Sequence, residues 1–477
     1  MSHLLRKKIP LEFVEKSQLH PRHLSKQKED DFQKYLEDAF RGIPKELNEC
    51  SLQSTEKNLL DLFNELYAKK KDQKCVDKIT KVLEDITENF IIQHIHPQTH
   101  LLEMENDEAR ILMRNIPHAI IETAFQDLIK QNIAFPFKKF FETPLKELFS
   151  NLRKYKPTIS NKPYRLSNCR MTNDSLFPPL FDGEYVLLLN LPSNYRRIDL
   201  IADYFTEEQR LKSIRSVEKI SPMEYWNTYF MRLFEEVIES GQDISARTMR
   251  EELYHQVKEC TQFKPTVAFT IYNILNSKKI LDFSAGWGDR LIAAIAAGAK
   301  TYLGFDPNIE LKQGHSEIIR TFLNKGESSK EFRVIYEPFE TAEIPEGYTF
   351  DLCFTSPPYF NLEIYSNQPN QSIERYPDFK QWMRKFLFAS LEKAWNSLDL
   401  NGHLAIHIAD FGKYRIAEPM NLFIQYYLHG ATYRGVIGTE GESGKILPIW
   451  IWKKTSTTDN ILREKVEERM KVYKDLF

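Results

Sequence analysis

The sequence predicts an α/β protein: a mainly parallel sheet on the C-terminal side, preceded by a mainly helical region. Three observations carry this. Short apolar runs alternate with helical patterns from 260 to 455, a glycine-rich turn joins the first of those runs to a helix, and residues 1–130 show helical spacing without strand signals.

In chain order, Leu59, Leu60, Phe63, Leu66 and Tyr67, then Val76, Ile79, Leu83 and Ile86, recur at helical spacing, and Lys69, Lys70 and Lys71 read as a solvated face. Pro144, Pro157 and Pro163 place a boundary near 150, closing a helical N-terminal domain over 1–150. A mixed α/β linker and recognition region over 151–259 follows. It holds a strand over 185–191 and two helix starts with capping boxes, Thr206 to Gln209 and Ser221 to Glu224. The sheet domain spans 260–455. The tail, 456–477, is an amphipathic helix with the stripe Leu462, Val466, Met470, Tyr473 and Phe477.

Within the sheet domain, a buried strand over 279–283 runs into Ser284, Ala285, Gly286 and Gly288 and then a helix over 291–297. The glycines permit a tight turn and close backbone approach, and an acid at the strand end, Asp282, suits a cationic ligand better than a pyrophosphate. The next strand, 300–306, ends in Asp306, at the spacing where a ribose-binding carboxylate belongs. A strand over 332–336 leads to Phe339, which either flanks an adenine ring or belongs to the core. The fourth strand, 350–355, carries Ser356-Pro357-Pro358-Tyr359 at its carboxyl end, the edge where open α/β sheets bind ligands. A fifth strand over 402–408 and a hairpin of 433–437 with 446–452 complete the sheet. His407 and Asp410 lie near the carboxyl end of the fifth strand, but His403 and His407 share a strand face and read as core residues.

The tetrapeptide has a chemistry of its own. An exocyclic amine on a planar base delocalises its lone pair into the ring and attacks poorly. A Ser hydroxyl and a Pro carbonyl, held by two locked φ angles, can accept both N–H bonds and pull the nitrogen toward tetrahedral geometry, while Tyr359 stacks on the ring.

Turn and tetrapeptide together resemble the class I S-adenosylmethionine-dependent methyltransferases, and within them the DNA amino-methyltransferases with an Asp/Asn/Ser-Pro-Pro-Tyr element. The resemblance covers 260–455. It implies a Rossmann-like seven-stranded sheet with one reversed strand, S-adenosylmethionine as cofactor, no metal, and methyl transfer to a nucleobase amine by Ser356, Pro357, Pro358 and Tyr359. The family's Asp-x-x-x-Gly-x-Gly turn, which holds the methionine part of the cofactor, maps to Asp282, Gly286 and Gly288 with Ser284 and Ala285 between. Asp306 is similar to its ribose acid. Lys264, Pro265 and Thr266 are similar to its short Lys-Pro segment at the methionine end. Ser at the first position, with Thr355 before it, leans toward the 4-amino group of cytosine in DNA. Adenine and guanine amines, an RNA base, and a non-catalytic cofactor-binding scaffold are the alternatives. Few residues follow the last strand, so recognition of the nucleic acid must come largely from the N-terminal side. This departs from restriction-type arrangements, in which a recognition domain follows both motifs.

Composition sets wider limits. A length of 477 residues with 42% hydrophobic content fits two or three domains with real cores. A net charge of −2 excludes a simple nucleic-acid-coating protein, so any such surface is local. From Phe137 to Arg170 nine Lys or Arg face two Glu, with Phe140, Phe141, Tyr155 and Tyr164 interleaved, a pattern suited to phosphates and unstacked bases. No apolar run reaches membrane-spanning length and the start lacks a secretory apolar region. Five scattered cysteines point to reduced thiols in a cytoplasmic setting and away from a zinc site. The polar, aromatic loop over 360–376 is suited to close over a base.

Overall fold

The computed structural model describes residues 25–41, 73–140, 144–160, 166, 169, 176–178, 180–182, 184–185, 187–190, 193–215, 217–323, 330–440, 445–457 and 463–477. The helical pattern from Leu59 to Tyr67, Lys69 to Lys71, and Phe141, Lys162, Tyr164, Arg165 and Arg170 of the basic segment lie outside these residues. The chain forms two compact units, one of 1–140 with 222–258, the other of 141–221 with 259–477.

The first unit is helical. Helix Gln73–Ile92 buries Ile79, Leu83 and Ile86, as its spacing predicts, and Cys75 and Ile91 join them. Helix His118–Gln131 sets Phe125 against Phe230 and Phe234 of helix Pro222–Ser240, with ring centroids 4.9 and 4.8 Å apart. A backbone bridge between Met104 and Ile244 makes a further tie. The part of the expected middle region from 222 to 258 therefore packs with the N-terminal helices, because its apolar face is complementary to theirs.

The second unit is built on a twisted sheet whose seven central strands are β1 (Lys279–Asp282), β2 (Thr301–Phe305), β3 (Glu331–Ile335), β4 (Phe350–Thr355), β5 (Leu398–His407), β6 (Ala431–Glu440) and β7 (Ile446–Lys454). Their order is β3-β2-β1-β4-β5-β7-β6, with β7 antiparallel to both neighbours and the others parallel. This is the Rossmann-like sheet with one reversed strand. The period-two alternation of side chains separates two cores. In β4, Leu352 and Phe354 enter one core and Cys353 the other; in β7, Ile449 and Ile451 oppose Trp450 and Trp452. Helices Pro265–Ile274, Asp289–Ala296 and Lys312–Phe322 cover the first core, and Ala389–Ser397, Ala417–Tyr427 and Arg463–Met470 the second.

The expected strand over 185–191 appears as Glu184–Tyr185 and Leu187–Asn190, the latter parallel to β6 and extending the sheet beyond it. Thr206 is not a helix cap. It lies inside helix Asp203–Lys212, where its hydroxyl donates to the Trp287 carbonyl at 2.7 Å, a tertiary bond that outweighs the local signal. Ser221 does immediately precede helix Pro222–Ser240. In the tail, Arg463–Met470 is helical, and Leu462 of the expected stripe lies outside the described residues. That helix buries Val466 and Met470, and Arg469 pairs with Glu418 at 2.5 Å. Tyr155 of the basic segment is buried among Leu148, Leu152 and Ile198 and offers no stacking surface. Cys75 is disulfide-bonded, contrary to the expectation of reduced thiols throughout; Cys169, Cys260 and Cys353 are free. Among the described residues no helix is long and apolar enough to cross a membrane, and no group of three or more His, Cys, Asp or Glu is placed to hold a metal ion.

Candidate active site

The turn after β1 is shaped by two left-handed glycines, Gly286 at φ +59° and Gly288 at φ +96°. The conformation at Gly288 favours glycine, and a Cβ there would lie 2.6 Å from Ile318 Cδ1, so the end of that side chain would have to shift. The Gly286 N–H donates to Asp306 Oδ2 at 2.8 Å, and the Asn308 N–H donates to Asp306 Oδ1 at 2.9 Å. These bonds link the turn to the end of β2. Burial pushes the Asp306 carboxyl up to about 6, against the pull of its two N–H donors. On the other side of the turn, His315 Nε2 meets the Gly286 carbonyl at 2.8 Å while Nδ1 meets the Tyr336 hydroxyl at 3.1 Å. The carbonyl can only accept, so Nε2 carries the proton, and burial holds the neutral ring down to about 4.

Asp282 does not line the cavity that Ser284 and Gly286 line. Its carboxylate is fully buried, 2.7 Å from Arg290 Nε and 2.8 Å from the Tyr302 hydroxyl. Arg290 also reaches the Ser284 carbonyl, and its guanidinium lies 5.1 Å from the centre of the Phe263 ring. The acid expected to face a ligand thus anchors the arginine that lines the cavity.

Ser356, Pro357, Pro358 and Tyr359 leave the carboxyl end of β4 and line one end of a cavity of about 250 Å³, which Ser284, Gly286, Asp306 and Phe339 also line. The Ser356 hydroxyl is 3.0 Å from His407 Nδ1, and the Tyr359 hydroxyl is 3.3 Å from that nitrogen and 3.4 Å from the His407 carbonyl. His407 is therefore a wall of the cavity rather than a core residue. Its ring meets Phe263 edge-on at 5.2 Å, and burial, helped by the Arg290 charge, pushes its pKa down to about 3. His403, on the same strand, does not line the cavity, and neither does Thr355, whose buried hydroxyl has no partner. Asp410 lines the cavity but caps helix Ala417–Tyr427, accepting the Ile416 and Ala417 N–H groups at 2.8 and 3.0 Å.

Other expected ligand-binding residues stand elsewhere. Lys264 and Pro265 start helix Pro265–Ile274 and Thr266 bonds Asp199 at 2.6 Å; none of the three lines the cavity, whereas Thr261, Gln262 and Phe263 just before them do. Ala285 and Gly288 shape the turn without lining it. Phe339 reaches the wall, but its ring is only 1% exposed, stacked on Phe283 at 5.3 Å with the Lys393 ammonium 5.2 Å from its centre. The loop after the tetrapeptide folds over the end of β2: Asn370 Nδ2 donates to the Pro307 carbonyl at 2.8 Å, and Gln368 Nε2 to Asn308 Oδ1 at 3.4 Å. Asn370 and Gln371 of this loop line the cavity.

The cavity's charge is one-sided. Five carboxyl groups, Asp289, Asp306, Glu340, Glu363 and Asp410, line it with one arginine, Arg290; Arg290 is paired with Asp282 and Glu340 with Arg375, and burial raises the Asp289 and Asp306 carboxyls. Such a lining offers acceptors and no unpaired cation, which suits a cationic ligand better than a polyphosphate.

No protein-family model matches the chain, and no curated protein matches it in sequence. Among solved structures, an rRNA methylase of Streptococcus thermophilus is 12% identical, covering 41% of this chain and 100% of its own, with a TM-score of 0.29. A putative RNA methyltransferase of Pyrococcus horikoshii is 16% identical, covering 41% and 83%, with a TM-score of 0.28. An O-methyltransferase of Streptomyces achromogenes, solved with S-adenosylmethionine, is 11% identical, covering 43% and 86%, with a TM-score of 0.28. Scores this low add nothing to what the strand order says of the fold.

Proposed function

We propose that this protein is a methyltransferase that moves a methyl group from S-adenosylmethionine to an exocyclic amino group of a nucleobase, with the 4-amino group of cytosine in DNA as its target. The observation that carries the reading is the single cavity lined by both the glycine turn with Asp306 and the Ser356-Pro357-Pro358-Tyr359 element. Its acidic lining fits a sulfonium cofactor. When bound, that cofactor supplies an electrophilic methyl group whose leaving group is a neutral thioether. Gly286 and Asp306 hold its nucleoside, Asp306 as acceptor for ribose hydroxyls. Ser356 Oγ and the Pro357 carbonyl accept the two N–H bonds of the target amine, and Tyr359 stacks on its ring. Held in this way, the amine nitrogen would present its lone pair to a bound methyl donor, and the N–H proton it sheds on methylation would leave to water.

The test is incubation with methyl-labelled S-adenosylmethionine and separate DNA and RNA pools, followed by mass spectrometry of the nucleosides. Labelled N4-methylcytosine in DNA is the expected product. Label confined to RNA would move the substrate to that polymer, and labelled protein with unlabelled nucleic acid would overturn the reading.

A further inference from the structure

A serine hydroxyl is both donor and acceptor, which leaves open how Ser356 faces a nucleophile. To accept an amine N–H, its lone pairs must point into the cavity and its own proton must go elsewhere. The nitrogen 3.0 Å away, His407 Nδ1, is the place for that proton. We infer that His407 is a positioning residue that fixes the hydrogen-bond polarity of Ser356, accepting the hydroxyl proton so that the oxygen presents acceptor lone pairs to the substrate amine. The assignment rests on the proposed methyl transfer to an amine.

Three features of the surroundings support this polarity. Tyr359, the other hydroxyl near Nδ1, has the His407 carbonyl at 3.4 Å as an alternative acceptor, so the two hydroxyls need not compete for one nitrogen. Phe263 packs its ring edge-on to the imidazole at 5.2 Å, and Arg290, stacked over Phe263, brings a fixed positive charge to the same wall. An imidazolium beside that charge is disfavoured, so the ring stays neutral and one of its two nitrogens is an acceptor; under this assignment that role falls to Nδ1 and the proton to Nε2. The β5–β4 register sets the pair side by side: Ile406 lies opposite Thr355, which places His407 next to Ser356 at the two strand ends.

The experiment compares His407→Leu, which removes the acceptor, His407→Asn, whose amide oxygen takes up roughly the position of Nδ1, and Ser356→Ala, alone and combined with His407→Leu. Each is measured for single-turnover methyl transfer and for S-adenosylhomocysteine affinity, the latter also reporting an intact fold. His407→Leu should slow transfer about 10- to 100-fold with cofactor affinity unchanged, His407→Asn should recover much of the rate, and the double variant should be no slower than Ser356→Ala. A wild-type rate in His407→Leu, or a multiplicative loss in the double variant, would overturn the inference. A second readout needs no turnover: in protein labelled with ¹⁵N-histidine, His407 should show Nε2 protonated and an Nδ1 signal that moves in Ser356→Ala. A proton on Nδ1 would refute the assignment even if no nucleic acid were ever methylated, whereas absence of transfer by the wild-type protein would refute the proposed function alone.

Discussion

At the scale of single residues, Asp306 has the clearest solution signature. In the folded chain burial raises its carboxyl to about 6, above the ordinary 3.8, so its contribution to stability is full at low pH and is lost as pH rises through 6, an effect of about 3 kcal/mol. The ionised form is the stronger acceptor for a ribose hydroxyl. S-adenosylhomocysteine should therefore bind more weakly below pH 6, by up to about tenfold per pH unit, and titration calorimetry should find this dependence gone in Asp306→Asn. Asp282 and Arg290 make a different prediction. Arg290→Met leaves a buried carboxylate uncompensated and should cost about 3–5 kcal/mol in urea unfolding, while adding Asp282→Asn should restore part of the loss. The residue types of this site were legible in the sequence, but their partners were not. Asp282 and Arg290 stand eight positions apart, and no spacing rule says whether an acid at a strand end will face a ligand or an arginine. His315 gave no signal at all, because a lone histidine on an amphipathic helix looks the same whether or not it holds a glycine carbonyl.

At the scale of elements, the strand-to-helix turn is constrained on both sides. Gly288→Ala combines a φ of +96° with a contact of 2.6 Å to Ile318, and should lower stability by about 1–3 kcal/mol in thermal unfolding. Ile318→Val in the same chain removes the clashing methyl and should recover the steric share but not the conformational one. The strands of the sheet were legible because each is a short apolar run bounded by a turn, and β4 and β7 alternate between two buried faces. What failed were signals that a tertiary contact can overrule. Thr206 reads as a cap but spends its hydroxyl on Trp287, and one capping box that does form, Ser245 with Thr248, lacks the usual acid or amide at its third position. The loop over 360–376 reads as a cover for a site, and Glu363, Tyr365, Asn370 and Gln371 do line the cavity; its hydrogen bonds to Pro307 and Asn308 are partners that polarity alone does not specify.

At the scale of the whole molecule, the order of units along the chain is interleaved, and this was the least legible feature. Helical periodicity says that 222–258 is amphipathic, not which apolar surface it matches. The interleaving predicts that a fragment starting at residue 260 will not fold by itself. It would lack Leu148, Leu152, Ile198, Ile201 and Ala202, which sit in the same core as Leu291, Ile292 and Ile318, and the strand Leu187–Asn190 along β6. Circular dichroism should find no cooperative melt for this fragment and a cooperative one for the full chain. That same strand has a consequence in time. Leu187 pairs with Ile437, 250 residues further on, so at about 5–20 residues per second a ribosome takes roughly 10–50 s to deliver the partner. Through that interval one edge of the nascent strand waits unpaired, its other edge being taken by Thr158–Ser160, which exposes this segment to aggregation during synthesis.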